Sequence, residues 1–255
     1  MNKFEYVVRL ADNSMILGHR LSEWCGHGPF LEQDMAMTNI ALDLIGQARS
    51  LYALAAEIQQ EGKTEDDIAF LRYEHEYKNI LLVEQPNGDF AHTIARQFFF
   101  SAYQLPLYNA LYEKLSGSKD EHLQTLRGIL EKAIKEVNYH LRWSGEWVIR
   151  LGDGTDESHD RMQKAVEDLY RYTGEAFTTD GTDTKAIEEG YGVDPNTFYT
   201  EYKHTLEKVI SEAGLTLPQN TVMQTGGKQG RHSEHMGYIL TEMQYMQRAY
   251  PNASW

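Results

Sequence analysis

The sequence predicts an all-α fold, in which long antiparallel helices form a bundle and shorter helices are added to it. Apolar residues recur at spacings of three and four along nearly the whole chain, which is the period of an amphipathic helix. Four segments are about 25 residues or longer, well beyond the average helix of about 11–12 residues. Long helices with short turns are typical of an antiparallel four-helix bundle. We therefore expect residues 1–255 to form a single helical domain.

Glycine and proline delimit the first two long helices. The first is predicted over residues 3–26 and ends at Gly26, and the second covers residues 31–60, after Gly28-Pro29. The inward face of the second helix is predicted from its apolar stripe, which consists of Met37, Ile40, Leu44, Ala48, Leu51, Ala55 and Ile58.

Capping residues position the later helices. Thr64 to Asp67 predicts a capping box for a short helix, and Asp89 caps a long helix that runs to about Ser116, with a kink at Pro106. The remaining predictions, in chain order, are helices over 119–151, from the cap Asp156 to Phe177, from Asp194-Pro195 to Ala213, and over 233–249, with one short helix in the polar stretch 178–194.

Composition excludes several functional classes. The formal charge of -14 and the pI near 5.1 disfavour nucleic acid as a partner. No apolar run approaches the length of about 18 residues that a membrane helix needs, and the N-terminus has no signal-peptide pattern. The lone cysteine, Cys25, fits a reducing cytoplasm and excludes an internal disulfide framework. The glycine-rich stretch TGGKQG, residues 225–230, lacks the spacing of a nucleotide-binding loop.

The long helices carry only part of the iron-ligand pattern of ferritin-like bundles. Such bundles hold two irons with one Glu from each of two helices and a Glu-x-x-His pair from each of the other two. At the positions of this pair, the second helix carries Leu44 and Gln47, and the helix over 119–151 carries Val137 and His140. Glu136 lies about 100° around the helix from Val137. The metal site is therefore predicted to be degenerate, and His140 is interpreted as a hydrogen-bonded core histidine.

Several long motifs resemble a known family. They are LSEWCGHGPFLEQDMAMTNIALDLIGQARSLY, LLVEQPNGDFAHTIARQ, AIKEVNYHLRWS and TGGKQGRHSEHMGYILTEMQYMQR. These motifs resemble the non-catalytic, ferritin-like (PaaC-type) subunit of the bacterial phenylacetyl-CoA epoxidase complex, and the resemblance covers essentially the whole chain.

The resemblance implies a supporting role in aerobic phenylacetate catabolism. In that family a sister subunit holds the di-iron centre and epoxidises the ring of phenylacetyl-CoA, while a flavin and iron–sulfur reductase supplies electrons from NADPH. The chain itself would bind no cofactor, would pair with the catalytic paralogue and the other subunits, and could form a homodimer when isolated. Two alternatives stay open: an active di-iron oxidase that uses Asp43, Glu136 and His140, and a free-standing helical binding module.

Lysine and arginine side chains outside the long helices are the candidates for a contact with the acyl-CoA substrate. An ammonium or guanidinium group can bind phosphate, and a tyrosine ring can stack on adenine. The candidate residues are Tyr77, Lys78, Asn79, Thr184, Lys185, Lys228 and Arg231.

The aromatic residues exceed what one bundle core obviously requires. The sequence has 16 tyrosines, 9 phenylalanines and 4 tryptophans. Trp24 and the segment QFFFSAYQLPLY, residues 97–108, are the candidates for this surplus. Both a second internal layer and a partner interface remain open for them.

Overall fold

The computed structural model describes residues 2–251 and residue 253, and these residues form helices joined by turns and loops, without a β-strand. The α-helices in chain order are α1 (Asn2–Ser22), α2 (Leu31–Gln59), α3 (Glu65–Phe70), α4 (Leu81–Glu84), α5 (Phe90–Lys114), α6 (Glu121–Gly152), α7 (Asp156–Tyr170), α8 (Gly181–Glu188), α9 (Tyr199–Glu212), α10 (Glu234–Met243) and α11 (Tyr245–Ala249). Short 3-10 helices lie at Glu74–Glu76, Gly174–Phe177, Pro195–Phe198 and Gly227–Gln229. The predicted all-α, ferritin-like fold class of long helices with additional shorter ones is confirmed.

The chain divides into two compact units. The first unit comprises Met1–Gln85 and Gly226–Trp255, and the second comprises Pro86–Thr225. Among the helices of the described residues, none combines the length and the apolar character needed to span a bilayer. The prediction of one domain over residues 1–255 stays a prediction.

The first unit is built on the hairpin of α1 and α2, which are 21 and 29 residues long. The short loop 23–30 makes the two helices antiparallel, and they pack along each other, with α4 and α10 against α1. Gly18 lets the two helices approach closely, because a Cβ there would lie 2.9 Å from the Cγ1 atom of Ile45. The loop is fixed by Asp34, whose Oδ2 atom accepts a 2.9 Å hydrogen bond from the backbone N–H of Gly28.

The second unit is built on the hairpin of α5 and α6, which are 25 and 32 residues long. The helices α7 and α9 pack against this hairpin. Asp89 caps α5 as predicted, since its side chain accepts a 3.0 Å hydrogen bond from the backbone N–H of His92. The helix continues through Pro106 as one element from Phe90 to Lys114.

The structure corrects the predicted boundaries of two helices, the first helix of the chain and the helix predicted from Asp156. The first helix ends at Ser22 rather than Gly26, because the next residues form turns with bonds three residues apart, such as Trp24 N–H to Leu21 O at 3.0 Å. The helix predicted from Asp156 to Phe177 is α7, which is capped by Thr155 and ends at Tyr170.

The last predicted helix, over 233–249, is broken at Gln244 into α10 and α11. At the break, the Nε2 atom of Gln244 donates to the backbone oxygen of Arg72 at 2.8 Å and to the hydroxyl of Tyr77 at 2.9 Å. Similarly, the helix predicted from Pro195 starts as a 3-10 turn and becomes α9 at Tyr199.

Candidate functional site

On α2, the positions expected to carry iron ligands are buried and lack a carboxylate. Leu44 and Gln47 are three residues apart and therefore share one face of the helix, and both are buried. The same face buries Met37, Ile40 and Ala48. This face of α2 therefore offers one amide side chain and no acid.

On α6, the corresponding positions are Val137 and His140, which are both buried. Glu136 precedes Val137 and therefore points about 100° away from it around the helix. Its Oε1 atom lies 3.4 Å from the Nζ atom of Lys132, one turn earlier on the same helix, in an ion pair. The backbone oxygen of His140 accepts a 2.7 Å hydrogen bond from the hydroxyl of Ser144. This face of α6 offers one imidazole and no acid.

These donor sets do not fit a di-iron centre. Two irons in a ferritin-like site require four carboxylates and two imidazoles, whereas the four positions carry Leu44, Gln47, Val137 and His140. Within the part of the chain that the structure describes, no group of three or more His, Cys, Asp or Glu side chains is arranged to hold a metal ion. We therefore derive no reaction step through a metal held by this chain.

Two buried carboxylates of the first unit are used in hydrogen-bond networks instead. Asp12 accepts from the Tyr52 hydroxyl at 2.6 Å and from the Lys78 backbone N–H at 2.8 Å, and it forms an ion pair with Arg72. The Arg72 guanidinium also lies 4.0 Å from the ring centroid of Tyr77. Burial raises the pKa of Tyr77 to about 12, so its hydroxyl remains a hydrogen-bond donor at neutral pH.

The second network joins Glu84 to His232, and both side chains are 0% exposed. The Nδ1 atom of His232 lies 2.7 Å from Glu84 Oε2, and its Nε2 atom lies 3.0 Å from the backbone oxygen of Tyr77. Because both ring nitrogens face acceptors, this geometry favours the doubly protonated imidazole, in which both nitrogens donate. Glu84 also accepts from Asn79 Nδ2 at 2.9 Å and from the Ser233 backbone N–H at 2.6 Å.

The pKa of His232 agrees with this geometry. Burial lowers it, but the hydrogen bond and charge of Glu84, the backbone oxygen of Tyr77 and the charge of Glu74 together raise it by more, so the pKa lies above its ordinary value. The pair connects the last residue of α4 to the loop that precedes α10 within the first unit. Sequence reasoning did not relate Glu84 to His232, so this network was missed.

The residues proposed to contact acyl-CoA fall into two groups. In the first unit, the glycine-rich stretch of residues 225–230, which we call the glycine loop, packs directly on residues 75–81. A Cβ at Gly227 would lie 2.1 Å from Asn79 O, and one at Gly230 would lie 2.1 Å from His75 O. Tyr77, Lys78, Asn79, Lys228 and Arg231 are thus brought together in this unit. Thr184 and Lys185 lie on α8 in the second unit, where both are exposed.

Burial limits what the first of these groups can bind. Tyr77 is fully buried, and its hydroxyl donates to the backbone oxygen of Ala69 at 2.6 Å. Its ring therefore has no exposed face for the predicted stacking on adenine. Asn79 and Lys228 are also buried. Lys78 is half-buried, and its Nζ atom donates to the backbone oxygen of His75 at 2.9 Å. Arg231 is the exposed cation of this group.

The aromatic surplus of α5 lies inside the protein. Phe98, Phe99 and Phe100 are all buried, and Phe99 meets the ring of Tyr170 on α7 at a centroid distance of 6.3 Å. For the phenylalanine segment, the structure therefore supports the interpretation as internal packing. Trp24, in contrast, remains partly exposed in the loop before α2.

Sequence reasoning also missed a stripe of buried polar side chains on α5. Gln97 donates to the Ser101 hydroxyl at 2.8 Å, and Gln104 donates to the Tyr108 hydroxyl at 2.9 Å. All four side chains are buried. Their spacing of four, three and four could have indicated one polar face, but the neighbouring phenylalanines masked it.

Two comparisons with known proteins agree with this geometry. The model of a family described as "Phenylacetic acid catabolic protein" matches residues 1–255. A curated relative from Escherichia coli (strain K12), which is one of the subunits of the 1,2-phenylacetyl-CoA epoxidase, is 48% identical over 250 residues, which are 98% of this chain and 98% of the relative.

Proposed function

This chain belongs to the phenylacetic acid catabolic protein family, and from that premise we propose that it is the iron-free structural subunit of a multicomponent di-iron monooxygenase. The complex epoxidises the aromatic ring of phenylacetyl-CoA in aerobic phenylacetate catabolism. In this proposal the chain supports a catalytic paralogue and has no activity alone.

One observation carries the proposal. The ligand positions of a ferritin-like di-iron site hold Leu44, Gln47, Val137 and His140, which are buried and include no carboxylate. A ferritin-like fold that cannot supply the acids must serve the complex in another way, and binding to a paralogue that does supply them is the simplest one.

The proposal assigns the cofactors to other subunits. The catalytic paralogue holds the two irons, and a separate reductase with flavin and iron–sulfur groups delivers electrons from NADPH. We place the complex in the cytoplasm, which is consistent with Cys25 as an exposed free thiol in a chain with a single cysteine.

We also propose that exposed cations of this chain assist in binding the acyl-CoA substrate. Arg231 and Lys185 are exposed, and each carries a positive charge of the kind that binds phosphate; Thr184 lies beside Lys185. Tyr77, Lys78 and Asn79 belong to the segment on which the glycine loop, residues 225–230 including Lys228, packs, which is a structural contribution to the same proposal.

The experiment combines purified catalytic paralogue and reductase, with and without this chain, and measures epoxidation of phenylacetyl-CoA. We expect product only when this chain accompanies the catalytic paralogue, and none from this chain with the reductase. Turnover by this chain and the reductase alone would contradict the proposal.

A variant of Glu136 separates the proposal from an active di-iron site built on Asp43, Glu136 and His140. In the proposed complex, Glu136→Gln keeps turnover, because Glu136 lies about 100° around α6 from Val137 and forms an ion pair with the exposed Lys132. An active site that uses Glu136 as a ligand would lose turnover by orders of magnitude. Thermal unfolding of the variant verifies that it is folded.

A further inference from the structure

The outward side of α2 carries an apolar surface that nothing in its own unit covers. The exposed fractions are 64% for Phe30, 73% for Leu31, 56% for Met35 and 62% for Leu42. Leu31, Met35 and Leu42 are separated by four and seven residues and therefore lie in one line along the helix. We call Phe30, Leu31, Met35 and Leu42 the α2 outer face.

The opposite side of the same helix segment is apolar as well. Met37, Ile40, Ala41 and Leu44 are buried there, on the side that packs with α1. The first half of α2 is therefore apolar on two opposite sides, of which one is buried and the other is open to solvent.

The surroundings of the α2 outer face are acidic. At 100° per residue, Glu32 falls on one flank of the line and Asp34 on the other. Hydrogen bonds from the backbone N–H groups of Gly28 and Gly26 lower the pKa of Asp34, so this carboxylate stays ionised. A surface that covers the line would thus meet negative charge on both sides.

We propose that the α2 outer face binds a helix of the catalytic paralogue, a helix with an apolar stripe flanked by Lys or Arg residues. This inference rests on the proposed function and names the surface through which this chain supports its partner. Three large apolar side chains in line, with Phe30 at the helix start, fill the grooves of a facing helix, and basic flanks complement Glu32 and Asp34.

A second copy of this chain fits the same face less well. A two-fold symmetric contact brings the same patch of both copies together, so Glu32 and Asp34 would face a second set of acids. The net charge of -14 on each copy adds to this repulsion. A partner with basic flanks avoids both costs.

The test is the affinity of the full chain for the purified catalytic paralogue, measured by titration at fixed ionic strength. We expect Leu42→Lys to weaken binding on the order of 30-fold, as for a residue at the centre of an interface. Tyr238→Lys is the matched control. Tyr238 is 72% exposed on α10 of the same unit, and the substitution introduces the same charge as Leu42→Lys. We expect this control to bind within threefold of the parent.

Further variants prevent a folding defect from imitating the result. Met35→Lys must weaken binding as Leu42→Lys does, whereas Leu42→Met must retain it. Glu32→Lys must weaken it too, because the flanks of the partner are basic. Equal binding by Leu42→Lys, Met35→Lys and the parent would overturn the inference while leaving the proposed function intact.

Two other results are also decisive. If the parent chain itself fails to bind the catalytic paralogue, the proposed function fails together with this inference. If the isolated parent is a dimer, and Leu42→Lys makes it monomeric without changing its affinity for the paralogue, the α2 outer face binds a second copy and the inference is wrong.

Discussion

At the scale of single residues, the buried ion pair of Glu84 and His232 gives the first unit a pH-dependent stability. The pKa of His232 is raised in the folded chain, so the pair contributes fully below the ordinary histidine value of about 6.5. This contribution is lost as pH rises through the folded pKa. Removing one member leaves a buried charge without its partner, which costs about 3–5 kcal/mol.

We therefore predict that His232→Asn destabilises the chain most at pH 6 and progressively less toward alkaline pH. The free energy of unfolding from urea titrations at several pH values measures this. His204→Asn, at an exposed position on α9, serves as the control with little effect. An equal loss for His232→Asn at all pH values would show that His232 is neutral in the folded chain.

His19 on α1 predicts the opposite dependence. Burial lowers its pKa to about 4, so the folded chain holds this imidazole neutral. Between pH 6.5 and 4 the unfolded chain takes up the proton and the folded chain does not, so stability falls as pH falls through this range. His19→Gln should flatten this acid limb by up to about 1.4 kcal/mol per pH unit, measured by the same titrations. An acid limb of unchanged slope would contradict the assignment.

Sequence reasoning succeeds at residues whose partners are close in the chain. The cap of Asp89 on α5 and the capping box of Thr64 and Asp67 on α3 follow from spacing alone, and both are present. Glu84 and His232 are 148 residues apart, and no local pattern relates two such positions. Their pairing depends on how the chain folds back, which spacing does not encode.

At the scale of elements, α2 shows how far periodicity can be read. The inward stripe was predicted from spacing. Its members Met37, Ile40, Leu44, Ala48, Leu51 and Ala55 are all buried, while the last member, Ile58, is half-buried. The apolar residues on its other side were not singled out, because periodicity identifies the dominant face and Leu31, Met35 and Leu42 form a second one. For the three phenylalanines of α5, periodicity did not decide between internal packing and a partner interface. The packing of α5 against α7, with Phe99 near Tyr170, shows internal packing.

Two glutamate substitutions on α2 test this division into faces. Leu44→Glu places a carboxylate at a fully buried position, and in metal-free buffer we expect it to cost several kcal/mol or to hold the acid protonated. Leu42→Glu, two residues away on the exposed side, should change the free energy of unfolding by about 0.5 kcal/mol or less. Chemical denaturation of the isolated chain compares the two, and equal effects would contradict the assignment of faces.

At the scale of the whole molecule, the exposed cations can be tested in the assembled complex. We predict that Arg231→Ala or Lys185→Ala raises KM for phenylacetyl-CoA up to about tenfold, the effect of losing about 1.4 kcal/mol of phosphate binding. Lys203→Ala is the control, because Lys203 is exposed on α9 and pairs with Glu207 at 3.5 Å. If KM is unchanged in both test variants, this chain makes no contact with the coenzyme.

The central claim is that this chain belongs to an iron-dependent complex without binding iron itself. The most direct measurement is the iron content of each subunit, determined after this chain and the catalytic paralogue are co-expressed in iron-replete medium, purified as a complex and separated without chelators. We predict about two irons per catalytic paralogue and none in stoichiometric amount on this chain, because Leu44, Gln47, Val137 and His140 provide no carboxylate. Two irons retained by this chain would contradict the account.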